Sequence, residues 1–106
     1  MQECTKSIHN FEEIRQYVTE TLSQMELLIP DRFQLTQRLL RRSGQPCGVY
    51  FCLHGPRNVR LTAIWETDAN TILFYGSRGE RVQRTRLAEA PKLEAQVLGS
   101  YETQAA

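Results

Sequence analysis

Apolar residues recur at three- and four-residue spacings from Phe11 through Ile14, Val18, Leu22 and Met25 to Leu28, which lays them along one face of an α-helix. The spacing predicts a helix over residues 10 to 29. Asn10 stands where its side chain can cap the first turn, Glu13 follows three residues on as in a capping box, and Glu12 and Glu13 suit the positive end of the helix dipole. Pro30 is the expected stop, because proline lacks an amide proton and disfavours helical geometry at Ile29 before it. From Phe33 the period changes from helical to alternating. Stretches rich in Val, Ile, Phe, Tyr and Thr at 33–42, 46–54, 58–66, 71–76 and 80–87 are separated by Ser43-Gly44, Gly55-Pro56, Asp68-Ala69-Asn70 and Gly76-Ser77-Arg78-Gly79, the rhythm of an antiparallel meander. The first stretch also fits a helix through Leu35, Leu39 and Leu40, with Gly44 as its cap, and the alternation favours a strand. A short helix is expected over 91–98, with Pro91 in its first turn and Gly99 closing it, while 1–9 and 99–106 read as a flexible arm and tail.

A one-residue slip in register turns every side chain to the other face, so loop lengths can be tested against the apolar pattern. Val49, Phe51 and Leu53 share a face with Val59, Leu61, Ala63 and Trp65 if Leu53 opposes Val59. Ile72 and Phe74 join them if Glu66 opposes Thr71, and Val82 then opposes Phe74 across Ser77-Arg78-Gly79, whose glycine occupies the left-handed position of a three-residue hairpin. This face, with a buried Trp65, is the expected seat of the helix. The other face carries Tyr50, Cys52, His54, Arg60, Thr62, Ile64, Glu66, Leu73, Tyr75, Arg81 and Gln83, too apolar a mixture for a wholly wet surface. One helix covers one face of such a sheet. The second face must therefore bend round on itself, be covered by the C-terminal segment, or meet a partner. The expected fold is α+β, a helix packed on a five-stranded antiparallel meander. A helix followed by five short strands is similar in order to Sm-type small barrels, although the chain carries no Sm motif, so a strongly bent sheet is the architectural alternative.

The 106 residues suffice for a single domain, and 41% hydrophobic with 24% charged residues is the balance of an ordinary folded protein. No apolar run reaches membrane-spanning length and the first residues lack the pattern of an export signal, so the expected setting is cytoplasmic, away from a membrane. The formal charge of +1 conceals an asymmetry. Residues 1–31 sum to −4, 32–62 to +6, 63–87 to +1 and the remainder to −2, and all basic residues except Lys6 and Lys92 are arginine. Guanidinium groups suit paired contacts to carboxylate or phosphate, and packing against other protein. The alternative is an internal match, with the acidic helix laid over the basic strands.

Three cysteines, Cys4, Cys47 and Cys52, are an odd number that suggests free thiols rather than a disulfide framework. Cys47 and Cys52, five apart, fall on opposite faces of a regular strand and form no obvious metal site; no metal and no cofactor is expected. Cys52 and His54 share a face, which raises the reading of a small enzyme or ligand-binding protein with Cys52 as nucleophile, His54 as base and Glu66 as orienting carboxylate. Parallel side chains two residues apart on a strand stand about 6.5 to 7 Å apart, so a direct hydrogen bond needs a distorted strand end, which Gly55 makes possible. The leading reading is a non-catalytic interaction module. It would self-associate or dock a protein partner through the face opposite the helix, with Tyr50, Arg60, Ile64, Tyr75 and Arg81 as contacts, since Tyr and Arg are enriched at interface cores. Its rival is a nucleic-acid binder using Arg38, Arg57, Arg60, Arg81 and Arg84 with rings stacked on bases, against which stands a pI of about 7.7.

Overall fold

Asn10 is extended and its side chain accepts a hydrogen bond from the Glu13 amide at 2.9 Å, so helix α1 begins at its expected cap and runs Phe11–Met25 in the computed structural model, which describes residues 1–93. It ends short of Pro30. Leu27 takes a left-handed backbone at φ 55°, and the Leu28 amide donates to the Ser23 carbonyl at 2.7 Å, closing the helix as in a Schellman motif. The apolar run Leu27-Leu28-Ile29 is thus a loop rather than the last helical turn.

Six strands form one mixed sheet, in place of the five expected: β1 (Gln2–Lys6), β2 (Gln34–Arg42), β3 (Gln45–His54), β4 (Arg60–Glu66), β5 (Thr71–Tyr75) and β6 (Arg81–Leu87). Their spatial order is β1-β6-β5-β4-β3-β2. The N-terminal segment expected to be a flexible arm is an edge strand, parallel to β6 and in register from Gln2 opposite Gln83 to Lys6 opposite Leu87. It is anchored by Arg84 donating to Glu3 at 2.6 Å and by the Ala88 amide donating to the Lys6 carbonyl at 2.9 Å. All other pairings are antiparallel. β1 and β2 lie at opposite edges, so the sheet stays open rather than closing as a barrel. Residues 91–93 are not helical, and the rest of the expected C-terminal helix, with the tail, lies outside the described residues.

The stretch that fitted both periods is strand β2, joined to β3 by the two-residue turn Ser43-Gly44, both at positive φ as a tight hairpin demands. Gly79, at φ 79°, takes the left-handed place foreseen for it. Two registers differ from expectation. Leu53 pairs with Leu61 rather than Val59, a shift of two that leaves every residue on its expected face. Tyr75 pairs with Arg81 but Phe74 with Gln83, so Val82 is the extra residue of a β-bulge and Gln83 moves to the helix face. A polar knot rewards that move. Gln83 Nε2 donates to Tyr17 Oη at 3.0 Å and to Thr85 Oγ1 at 2.9 Å, beside Cys4.

The stripe Phe11, Ile14, Val18 and Leu22 packs on Val49, Phe51, Leu61, Trp65, Ile72 and Phe74. Phe11 stacks on Phe51 with ring centroids 6.0 Å apart, and Tyr17 meets Phe74 edge-on at 5.8 Å. Trp65 is buried, 1% exposed. Arg15 on one flank of α1 reaches Gln37 of β2, and Tyr17 on the other reaches Thr85 of β6, so the helix runs along the strands and its flanks span β2 to β6. At Gly48 the neighbouring strand comes so close that a Cβ would lie 2.2 Å from the Trp65 carbonyl oxygen. Gly48→Ala should therefore destabilise the fold by about 1–3 kcal/mol, and Phe51→Ala by about 3–5 kcal/mol, both read as lower urea midpoints at unchanged slope.

Candidate interaction surface

Alternation along each strand places one residue in two on the face away from α1, and the registers align these residues in rows across the sheet. The central row runs Arg38, Tyr50, Ile64, Leu73, Arg84, Glu3 from edge to edge. The next row is Thr36, Cys52, Thr62, Tyr75, Arg81, followed by Gln34, His54, Arg60; on the other side lie Leu40, Gly48, Glu66, Thr71, Arg86 and Thr5. The five residues expected as contacts, Tyr50, Arg60, Ile64, Tyr75 and Arg81, thus belong to one surface. Of the arginines named for nucleic acid, Arg38, Arg60, Arg81 and Arg84 share it, while Arg57 sits in the turn between β3 and β4 at φ 56°.

The centre of this surface is apolar and its border basic. Ile64 and Tyr50 are half-buried, Leu73 and Cys52 buried, and they lie on β3, β4 and β5. Arg38 on β2 and Arg81, Arg84 and Arg86 on β6 flank them, with Arg60 at one end. Against these five arginines the same face carries Glu3 and Glu66, among the described residues. Glu3 pairs with Arg84, and the guanidinium beside it holds its carboxyl below the usual carboxylate range. Arg38 lies over the Tyr50 ring, 5.3 Å from its centroid. Burial pushes the Tyr50 phenol above its ordinary value.

Helix acids and sheet arginines are not an internal match. α1 covers the face opposite the arginines, and Glu12, Glu13 and Glu20 point to solvent on the far side of the molecule. The molecule therefore presents an acidic back and a basic front.

Cys52 and His54 do share the front face, but His54 Nε2 hydrogen-bonds Thr36 Oγ1 at 2.9 Å rather than the thiol. Burial raises the Cys52 thiol above its ordinary value, a shift that the nearby Arg60 only partly opposes, and Glu66 lies two rows from Cys52. The three do not assemble a nucleophile, base and orienting acid. Cys47 occupies a bulge in β3, where the register shifts opposite Leu40 and Arg41, and its carbonyl accepts from the Thr67 amide and hydroxyl at 3.0 and 2.9 Å. Among the described residues no three His, Cys, Asp or Glu side chains gather as a metal site, and no helix is long and apolar enough to cross a membrane.

Leu73 joins the contacts expected from sequence, and Arg84 and Arg86 form a flank of the apolar centre that those contacts did not include. Leu73 was legible from parity alone, whereas the flank appears only once the bulge at Val82 resets β6. A second apolar patch lies where α1 ends. Leu27 and Ile29 are 91% and 62% exposed, and with Leu28 and Phe33 they border an open cleft of about 460 Å³. No protein-family model matches the chain, and no curated protein and no solved structure matches it either.

The perturbed thiol and phenols set the behaviour at high pH. Cys52 and Tyr50 on this face, and Tyr17 on the flank of α1, all hold their protons more tightly folded than unfolded. Their contribution is complete below the ordinary thiol value of about 8.5 and is lost as pH rises beyond it, because the unfolded chain ionises first. The urea midpoint should accordingly be level between about pH 6 and 8 and fall by pH 10. At neutral pH iodoacetamide should modify Cys52 about tenfold more slowly than half-exposed Cys47, as mapped by peptide mass; equal rates would show an activated Cys52.

Proposed function

We propose that this protein is a non-catalytic interaction module that binds another protein through the sheet face opposite α1. One observation carries the proposal. Among the described residues α1 lies on one side of the six-stranded sheet, and the other side joins an apolar centre of Tyr50, Ile64, Leu73 and Tyr75 to a border of arginines. An apolar centre inside a polar border is the anatomy of a protein interface, with Tyr and Arg as its usual anchors. Desolvating Ile64 and the tyrosines supplies the favourable term, and the arginines supply orientation and discrimination.

Nucleic acid fits this surface less well. Base stacking needs free ring faces, yet the Tyr50 ring is already covered by Arg38, and the aliphatic Ile64 and Leu73 separate it from the arginines of β6.

The test compares the wild-type chain with Ile64→Asp and Tyr75→Ala on the front face and Gln16→Asp on the exposed outer face of α1. Solution mass by light scattering and capture of purified candidate partners are the readouts. Binding should fall at least about tenfold in both front-face variants and hold in Gln16→Asp, since truncating a central anchor costs more than 1 kcal/mol. Equal mass and capture across all four chains would overturn the reading.

A further inference from the structure

We infer that the partner segment taken by this face is an amphipathic α-helix of another protein whose apolar stripe is bordered on both sides by carboxylates. The inference rests on the interaction-module reading and adds the shape and charge of the occupant. Its shape follows from the sheet. The apolar centre lies on three adjacent strands, β3, β4 and β5, between Arg38 on β2 and Arg84 on β6, four strand spacings apart or about 19 Å. The protein's own helix shows what fills such a width. On the reverse of the same strands α1 sits over Phe51, Trp65 and Phe74, and its flanking side chains Arg15 and Tyr17 touch β2 and β6 at Gln37 and Thr85. Gln37 and Thr85 are chain neighbours of Arg38 and Arg84. A second helix laid along the strands on the front would therefore bring its flanks to those two arginines. Along the strands the face extends from the Leu40 row to the Gln34 row, three two-residue steps or about 20 Å, which equals about 13 residues of helix.

The charge of the occupant follows from the border. Among the described residues five arginines and two glutamates leave the face net positive, with basic residues on both long sides of the apolar centre. Arg84 already pairs with Glu3 at 2.6 Å, which shows a carboxylate seated on that side, and the exposed Arg81 and Arg86 on the same strand carry the basic border there for a partner's carboxylates. A neutral or basic helix would fill the centre and leave the arginines facing apolar or like-charged groups.

A second copy of this chain does not supply that helix. Two front faces stacked about a twofold axis would set arginine borders against one another. The stripe of the partner copy's α1 is buried in its own core, and the outer face of α1 offers Glu12, Glu13, Gln16 and Glu20 with no apolar residue for the centre.

The experiment displays a library of amphipathic helical peptides of about 16 residues, with a fixed Leu/Ile stripe at helical spacing and flanking positions drawn from Glu, Gln and Lys, to the intact protein. Binders should be enriched in Glu on both flanks. Their affinity should drop about tenfold or more between about 50 and 300 mM salt, and by a similar factor in the Arg38→Gln/Arg84→Gln double variant. Because Arg84→Gln also removes the tie to β1, Arg81→Glu is measured alongside; it should weaken the same peptides with no change in melting temperature. Glu-flanked binders lost in Ile64→Asp would support the proposal. Neutral- or Lys-flanked binders lost in Ile64→Asp would overturn the acidic helix and leave the face as a docking surface. Absence of any binder sensitive to Ile64→Asp would overturn the helix altogether, and absence of any Ile64-dependent partner in the capture assay would overturn the underlying reading. A mass doubling abolished by Ile64→Asp would assign the face to a second copy, and Ile64-dependent binding of a single-stranded oligonucleotide would assign it to nucleic acid, each in place of the acidic helix.

Discussion

The structure depends on a geometric constraint: α1 joins the two edges of the sheet and covers one of its faces. The chain starts in β1 at one edge, α1 carries it over the sheet to β2 at the other, and the meander then returns strand by strand until β6 lies beside β1. The apolar stripe of α1 provides the contact that makes this path stable, since burial of Ile14, Val18 and Leu22 against Phe51, Trp65 and Phe74 is the main apolar payload of a small domain. That payload is spent on one side. The front face keeps Ile64, Leu73 and two tyrosines with no helix over them among the described residues.

The two faces share strands but not chemistry. Behind the sheet the alternating positions are aliphatic and aromatic, closed at the β6 side by the Cys4, Tyr17, Gln83 and Thr85 hydrogen-bond cluster. This cluster satisfies the polar groups at that side of the core, while the Tyr17 ring itself packs on Phe74. In front, the alternate positions place arginine at the sides and apolar residues at the centre. The bulge at Val82 couples the two faces. By adding one residue to β6 it brings Gln83 behind the sheet to join the cluster and leaves Arg84 in front, opposite Leu73.

Charge separation follows from the same arrangement. The glutamates of α1 favour its N-terminal turn and its solvent face, while the arginines cluster on strands whose front has no helix over it among the described residues. The exposed acids of α1, Glu12, Glu13 and Glu20, lie behind the sheet, and Arg38, Arg60, Arg81, Arg84 and Arg86, drawn from β2, β4 and β6, lie in front of it. Such a dipolar surface orients an approaching partner before contact, an effect that salt weakens.

Sequence alone determined the helix, its cap at Asn10, the five strands of the meander, the hairpin glycine at position 79 and the buried Trp65. Each of these follows from local periodicity or turn chemistry, which short stretches of chain express on their own. It also determined most of the front face, because parity in strands sends alternate residues to opposite sides whatever their neighbours. The tertiary structure decided what depends on distant residues. β1 is polar, and it is a strand because its backbone pairs with β6, some eighty residues away, which no local pattern encodes. The helix stops at Met25 because Leu27 turns left-handed to close a Schellman motif, although its apolar spacing continues to Leu28. The bulge at Val82 lies in the β5–β6 pairing, just before the stretch of β6 that pairs with β1, and it fixed which of Gln83 and Arg84 faces the helix. Whether helix acids and strand arginines would meet was settled by which side of the sheet α1 chose, and its apolar stripe chose the side with Phe51, Trp65 and Phe74.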